Sequence, residues 1–326
     1  MSLPLAAEPF AFATLLLALA LDALLGDPAW LYRRIPHPAA LLGRLVALLD
    51  SWLNDPAIAE GTRRALGILT ILLLAGGAIV LGYLLHDLFA VVPYGWLVEA
   101  LAMSALLAQR SLHLHVRAVA EGLERDGVAG GREAVRHIVG RDPESLDEAG
   151  VSRAALESLA ENFSDGVTAP LFWGALLGLP GMLAYKAINT ADSMIGHRSE
   201  RYRAFGWAAA RLDDLVNLAP ARIAGTIVAA ASERFKDAFA IMRRDAPKHR
   251  SPNAGWPEAA MAGALGLALA GPRQYDGVAV DDHWMGEGGN PDIGARDIRR
   301  GLWLYGRACL LQAAIVAALA LLAALL

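Results

Sequence analysis

The chain has 326 residues, 56% of them hydrophobic and only 19% charged, with a mean hydropathy of +0.39 and a formal net charge of −4. An ordinary soluble domain carries about 25% charged residues, and here the apolar excess falls in blocks, which points to lipid-facing helices rather than one large core. The negative balance argues against a nucleic-acid partner, and the single cysteine, Cys309, excludes an internal disulfide and any cysteine-rich metal site.

A spanning helix needs roughly 20 apolar residues. Residues 10–25 form the first candidate span, with Asp22 near one end. No Lys or Arg precedes Arg33, so a retained membrane segment is expected rather than a cleaved leader. Residues 65–85 hold no charge and form the second. The third covers residues 88–108, where Pro93 and Glu99 make Tyr94 the expected start. Residues 111–161 look soluble. There, residues 132–137 predict an amphipathic helix, Ser145 caps a turn carrying Asp147 and Glu148, and Ser152 caps a helix running toward Glu161. Residues 170–184 are apolar but carry Gly178-Leu179-Pro180-Gly181 in their middle. Proline removes a helix hydrogen bond and glycine weakens the helix. Each half is then too short to span, which predicts a re-entrant hairpin. Residues 215–231, with Pro220 and Arg222, and residues 258–271 suit buried or interfacial helices. The fourth span is 309–326, broken only by Gln312 and able to begin near Leu302.

The positive residues test this layout, because Lys and Arg accumulate on the cytoplasmic side. They cluster between the first two spans (Arg33, Arg34, Arg44, Arg63, Arg64), return from Arg110 to Arg153 and from Lys186 to Arg250, and stop after Arg307. Both later clusters lie inside only if residues 170–184 turn back. The expectation is an all-α, polytopic integral membrane protein: about four spanning helices, a re-entrant segment and helices at the cytoplasmic face. It is read as one membrane domain over residues 1–326, with both termini outside and residues 109–166 as a helical cytoplasmic insertion.

Polar groups beside apolar runs are expensive and demand partners, and four clusters stand out. Glu161-Asn162-Phe163-Ser164-Asp165-Gly166 is either a helix end, with Gly166 at positive φ, or a set of oxygen ligands for Mg²⁺. On a helix, Lys186, Asn189 and Ser193 share a face with Asp192 close beside it. Lysine there either snorkels at the boundary, paired with Asp192, or supplies a point charge for phosphate. Asp213 and Asp214 point in different directions; one pairs with Arg211 or Arg222, leaving the other as a metal ligand or general base. Proline-bounded turns around Asp27, His37 and Asn253 complete the set. No histidine spacing indicates zinc, and no Gly-rich phosphate loop or Gly-x-Ser-x-Gly elbow is present.

Together these residues resemble a family of cobalamin-biosynthesis membrane proteins, the adenosylcobinamide-phosphate (cobinamide) synthases. The resemblance runs from Leu21-Asp-Ala-Leu-Leu-Gly-Asp-Pro28 and Pro36-His-Pro38 through Glu161-Asn-Phe-Ser-Asp-Gly166 and Tyr185-Lys-Ala-Ile-Asn-Thr-Ala-Asp-Ser-Met194. It continues in Phe205-Gly206, Ala210-Arg-Leu-Asp-Asp214, Pro220-Ala-Arg222, Ser251-Pro-Asn-Ala-Gly255 and Gly271-Pro-Arg-Gln-Tyr275. It implies an ATP-dependent ligase joining adenosylcobyric acid to aminopropanol or aminopropanol phosphate, at the cytoplasmic face of a prokaryotic inner membrane. Other membrane-bound enzymes of the pathway are implied partners, with the lipid bilayer.

Within that reaction, Glu161, Asp165 and Asp192 are assigned to Mg²⁺, and Lys186 and Arg211 to the phosphates of ATP. Asp213 or Asp214 takes the amine proton. Asn162, Asn189, Asn253, Ser193, Arg222 and His37 orient substrate. Trp173, Trp207, Trp256 and Trp284 either anchor at the interface or pack on the corrin ring. The competing readings are a non-catalytic membrane sensor and a corrinoid transporter, the latter favoured by broken helices but not by any inverted repeat.

Overall fold

The computed structural model describes residues 11–138, 143–275, 278–280 and 282–325. In chain order the helices are α1 (Ala11–Leu25), α2 (Ala29–Tyr32), α3 (Pro38–Leu53), α4 (Glu60–Ala90) and α5 (Gly95–Ser104). Then come α6 (Gln109–Val135), α7 (Glu148–Phe163), a π turn (Ser164–Thr168), α8 (Ala169–Ile195), α9 (Trp207–Val216) and α10 (Leu218–Ala231). The last are α11 (Phe235–Asp245), α12 (Gly255–Leu265) and α13 (Ala295–Leu325). Among the described residues the strands make only two short antiparallel pairs: β1 (Leu269–Ala270) with β4 (Trp284–Met285), and β2 (Arg273–Tyr275) with β3 (Val278–Val280). The side chains of the 273–275 motif and Arg141 lie outside the described residues.

The chain is an all-α polytopic membrane protein. By length and composition α4, the helical stretch Glu148–Ile195 and α13 can cross a membrane, and α9 with α10 makes a fourth candidate. Two of these candidates, Glu148–Ile195 and α9 with α10, lie where the sequence predicts a re-entrant segment and an interfacial helix, and two of the four expected spans are short. The described part of α1 has 15 residues and α5 has 10, about 22 and 15 Å at 1.5 Å per residue, short of a bilayer core. Tyr94 does precede α5, but Ala105 ends that helix within three turns.

Two compact units can be distinguished, one of Met1–Ala108, Ala169–Asn217 and Val316–Leu326, the other of Gln109–Thr168 and Leu218–Ile315. Residues 109–166, read from the sequence as an insertion, belong to the second unit together with residues 218–315.

In the first unit, α8 is a hairpin. Gly178 adopts φ 64°, ψ −152°, a backbone region essentially reserved for glycine, and Pro180 follows two residues later. A Cβ on Gly181 would stand 2.4 Å from the Trp173 carbonyl oxygen, and one on Gly174 would stand 2.9 Å from Met182 Cγ. Residues eight apart on a straight helix are about 12 Å apart, so the chain reverses at Gly178. The chain reversal expected from the glycine–proline sequence is therefore present. Its second limb packs on α4. Gly82 meets Pro180, while Ile71 and Leu74 join Ile188, Ala191, Ile195 and Phe205 in one buried cluster.

The second unit repeats the device. Gly127 in α6 has φ 63°, ψ −152°, and Gly131 presses on Leu123, eight residues earlier. α7 is almost wholly buried, with Val151, Leu156, Leu159 and Phe163 at 0% exposure, and packs on α6 and α12. Two expectations are corrected here. Asp147 caps α7, accepting from Gly150 N at 2.7 Å, whereas Ser152 is buried inside the helix. Nor does the helix end at Asn162–Gly166: it widens into the π turn and runs on, so Gly166 is not at positive φ. Packing of the turn against α10 outweighs the local glycine preference.

Asp245, at 0% exposure, ties α11 to the segment after β4. Burial by itself would raise its pKa, but hydrogen bonds from Arg244, Lys248 and Gly286 N hold the carboxyl down to about 2. A carboxylate depressed in the folded state contributes stability above its ordinary value of 3.8 and loses it as pH falls toward 2. Asp245→Asn is expected to cost about 2 kcal/mol at neutral pH. It should also flatten the fall in detergent-solubilised melting temperature between pH 4 and pH 2. A variant with the wild-type acid limb would show that the charge contributes nothing.

Candidate functional site

The polar residues of the first unit converge where the second limb of α8 meets the end of α9. Tyr185, Asn189 and Asp192 follow at helical spacing on α8, as do Asp213 on α9 and Asn217, which caps it. Asp213 is 9% exposed. Its Oδ2 accepts from Asn217 Nδ2 at 3.0 Å, and its Oδ1 faces Asn189 Nδ2 at 3.4 Å. Tyr185 donates its hydroxyl to Asn217 Oδ1 at 3.0 Å, and Trp173 on the other limb donates its indole N–H to the Val216 carbonyl at 3.1 Å. Both limbs of the hairpin thus grip the end of α9.

Asp192 and Asp214 lie within electrostatic range of Asp213. Asp214 is turned outward and pairs with Arg211 at 3.2 Å. Asp192 is half-buried, with a carboxylate oxygen over Gly196, where a Cβ would stand 1.9 Å away. Carboxylates gathered this closely repel one another, and a cation relieves that repulsion. Lys186, half-buried, sits one turn before Asn189, and Ser193, exposed, donates back to the Asn189 carbonyl at 2.9 Å.

The remaining sequence-predicted residues are placed as follows. His37 accepts from Ala39 N at Nδ1 (3.1 Å), capping α3, so its proton is on Nε2, 3.0 Å from Asp27 Oδ1. Both ring nitrogens are engaged. Glu161, Asn162, Asp165, Arg222 and Asn253 belong to the second unit. Glu161 is exposed and Asp165 half-buried at the π turn, and Asn162 donates to the Ser158 carbonyl at 2.9 Å. Arg222 donates to the Leu218 carbonyl at 2.6 Å and lies over the Trp256 ring. Asn253 is buried in a turn where Ser251 Oγ accepts from Asn253 N and Ala254 N. Trp207 lies under Arg64, and Arg153 approaches Trp284 at 5.8 Å. Among the described residues no group of three or more His, Cys, Asp or Glu side chains is arranged to hold a metal ion.

Sequence reasoning missed two features. Tyr185 and Asn217 act as an orienting relay to Asp213; the Asp213–Asn217 spacing of four residues was the available signal. The other is a buried knot in the first unit. Arg63 donates to Asn54 Oδ1 at 2.9 and 2.8 Å and to the Arg201 carbonyl, Asn54 donates to Asp50 at 2.7 Å, and Arg201 pairs with Asp50 at 2.7 Å. Arg201 lies 138 residues from Arg63 and 151 from Asp50, so no local pattern announces its part in the knot. Tyr185→Phe should leave Asn217 Oδ1 buried without its donor, at a cost of about 1–3 kcal/mol. An unchanged melting temperature in detergent would show that the relay is not formed.

A family model described as CobD/Cbib protein matches residues 15–305. A Sinorhizobium protein named cobalamin biosynthesis protein CobD is 51% identical over 314 residues, covering 94% of this chain and 97% of that protein. Proteins of the same name from Brucella suis biovar 1 and Rhodobacter capsulatus are 49% and 50% identical, covering 94% and 91% of this chain and 95% and 93% of theirs. No solved structure matches the chain.

Proposed function

The chain belongs to the CobD/Cbib protein family, and from that premise we propose that it is the ATP-dependent ligase joining adenosylcobyric acid to aminopropanol or aminopropanol phosphate in cobalamin biosynthesis. The observation that carries the reading is the buried carboxylate of Asp213, held by Asn217 and Asn189 beside Asp192. A site of this kind suits a reaction in which a cationic amine must lose a proton.

A carboxylate is a poor electrophile at neutral pH. Transfer of the γ-phosphoryl group of ATP to the corrinoid propionate gives an acyl phosphate and ADP. The amine nitrogen then attacks the acyl carbon, the C–N bond forms, and inorganic phosphate leaves. Asp213 takes the ammonium proton, and with Asp214 bound to Arg211 it is the better placed of the two carboxylates for this role. Lys186 and Arg211 contact the phosphates of ATP. Asn189 and Ser193, with Asn162, Asn253 and Arg222, orient the substrates.

Mg²⁺ takes one or two protein carboxylates plus phosphate oxygens and waters rather than an all-protein cage. Asp192 in the first unit can supply one such carboxylate, and Glu161 and Asp165 in the second unit are carboxylates of the same kind. The ion would offset charge on the transferring phosphoryl group. His37, held by Asp27 and Ala39 N, orders the turn before α3.

The Lys/Arg distribution supports a cytoplasmic-membrane enzyme whose site faces the cytoplasm, where ATP is available. Purified protein in detergent, given adenosylcobyric acid, aminopropanol phosphate and Mg-ATP, tests the reading. ADP release that requires both other substrates supports the ligase. Corrinoid binding without ADP release would overturn it in favour of a sensor or transporter.

A further inference from the structure

A cleft of about 510 Å³ in the second unit is lined by Arg234, Arg296, Arg299, Arg300, Glu233 and Trp303, among others. Its arginines are organised differently from one another. Arg299 is bound to Glu124 through Nε and Nη2, Arg300 to Asp297 and the Leu265 carbonyl, and Arg234 to Asp237. These contacts fix three guanidinium groups in place while leaving each spare N–H donors. Arg296 is exposed and has no hydrogen bond or ion pair among the described residues.

The cleft sits at the start of α13, a helix long and apolar enough to cross a membrane. Trp303, 59% exposed, carries Arg307 over its ring at 4.6 Å. It precedes the uncharged run beginning at residue 309 by about 9 Å of helix rise. That is the depth of lipid headgroups, where tryptophan and arginine concentrate.

We infer that this cleft binds the phosphate of an anionic phospholipid headgroup, with Arg296 as its principal unpaired donor and Trp303 seated at the headgroup–acyl boundary. A fixed set of guanidinium donors around one uncompensated cation recognises a phosphodiester. The adjoining apolar helix accounts for preferring one that carries acyl chains.

Full-length protein, delipidated in mild detergent, is titrated with phosphatidylglycerol, phosphatidylcholine or glycerol 1-phosphate, and binding is read by native mass spectrometry. Phosphatidylglycerol is expected to bind at least about fivefold tighter than phosphatidylcholine, the increment of one surface arginine. Arg296→Gln should remove that preference, while Arg33→Gln, an exposed arginine of the first unit, should keep it. Arg296 makes no contact that folding depends on, so an unchanged melting temperature accompanies the loss. Equal binding of the two lipids, or a preference retained in Arg296→Gln, overturns the inference. Glycerol 1-phosphate binding as tightly as the lipid also overturns it, showing a site for soluble phosphates.

Discussion

Asp213→Asn is expected to slow amide formation by about 10²–10⁴-fold, the range over which a positioned general base accelerates proton transfer. Both oxygens of Asp213 face amide N–H donors, from Asn217 at 3.0 Å and Asn189 at 3.4 Å. Asparagine offers only one acceptor oxygen, so one donor would be opposed by another N–H. The loss therefore has a chemical and a structural part, and two controls separate them. Asp214→Asn removes the largely exposed ion pair with Arg211, worth about 0–1 kcal/mol, and should retain most turnover. Asn217→Ala disturbs the same hydrogen bonds without removing the carboxylate, and should lower the melting temperature more than the rate. Single-turnover release of ADP and of amide product reads the outcome. Full turnover in Asp213→Asn, or an equal loss in Asp214→Asn, would sink the assignment of the amine proton to Asp213. Asp192→Ala is expected to block ADP release itself, because the carboxylate proposed to stand beside the transferring phosphoryl group is gone.

Gly178→Val should destabilise the first unit by about 3 kcal/mol and abolish activity without touching a polar residue of the site. At φ 64°, ψ −152° a non-glycine residue costs about 1–3 kcal/mol, with a β-branched side chain at or above the upper end. The hairpin cannot relax to avoid this cost, because its limbs touch through backbone, Gly181 lying against the Trp173 carbonyl. Trp173 and Tyr185, one on each limb, both bond to the end of α9. Opening the turn therefore displaces the Asn217 that orients Asp213. Thermal unfolding in detergent, with Gly76→Val as a control on α4 where a Cβ meets nothing within 4 Å, checks the prediction. Equal melting temperatures for the two variants would mean that the turn is not required.

Much of the fold was legible from composition and punctuation. The long uncharged runs give α4 and α13, and a glycine and a proline within three residues gave the reversal in α8. The length of α5 was not legible. An apolar composition continues past Ser104, yet the helix stops, since apolar content reports burial or lipid exposure and not where backbone hydrogen bonding ends. The Asn162–Gly166 turn failed in the opposite direction. Its glycine and its capping residues read as a stop, while packing against α10 carries the helix on through a π turn. π turns are often found at functional sites, and this one holds Ser164, 2% exposed, whose hydroxyl finds no partner among the described residues.

At the candidate site, residue types and helical spacing were sufficient to single out Lys186, Asn189, Asp192, Asp213 and Asp214, because polar groups beside apolar runs require partners. Which carboxylate is paired and which is buried was decided only by tertiary structure. Asp213 and Asp214 are neighbours in sequence but project about 100° apart on their helix, and only the position of the α8 hairpin determines which side is covered. Tyr185 reaches Asn217 across 32 residues, and Arg201 reaches Asp50 across 151. Sequence alone determined that this is a helical membrane protein with a polar cluster after a turn. Tertiary packing chose the buried acid, since burial depends on what lies opposite a side chain and not on its neighbours along the chain.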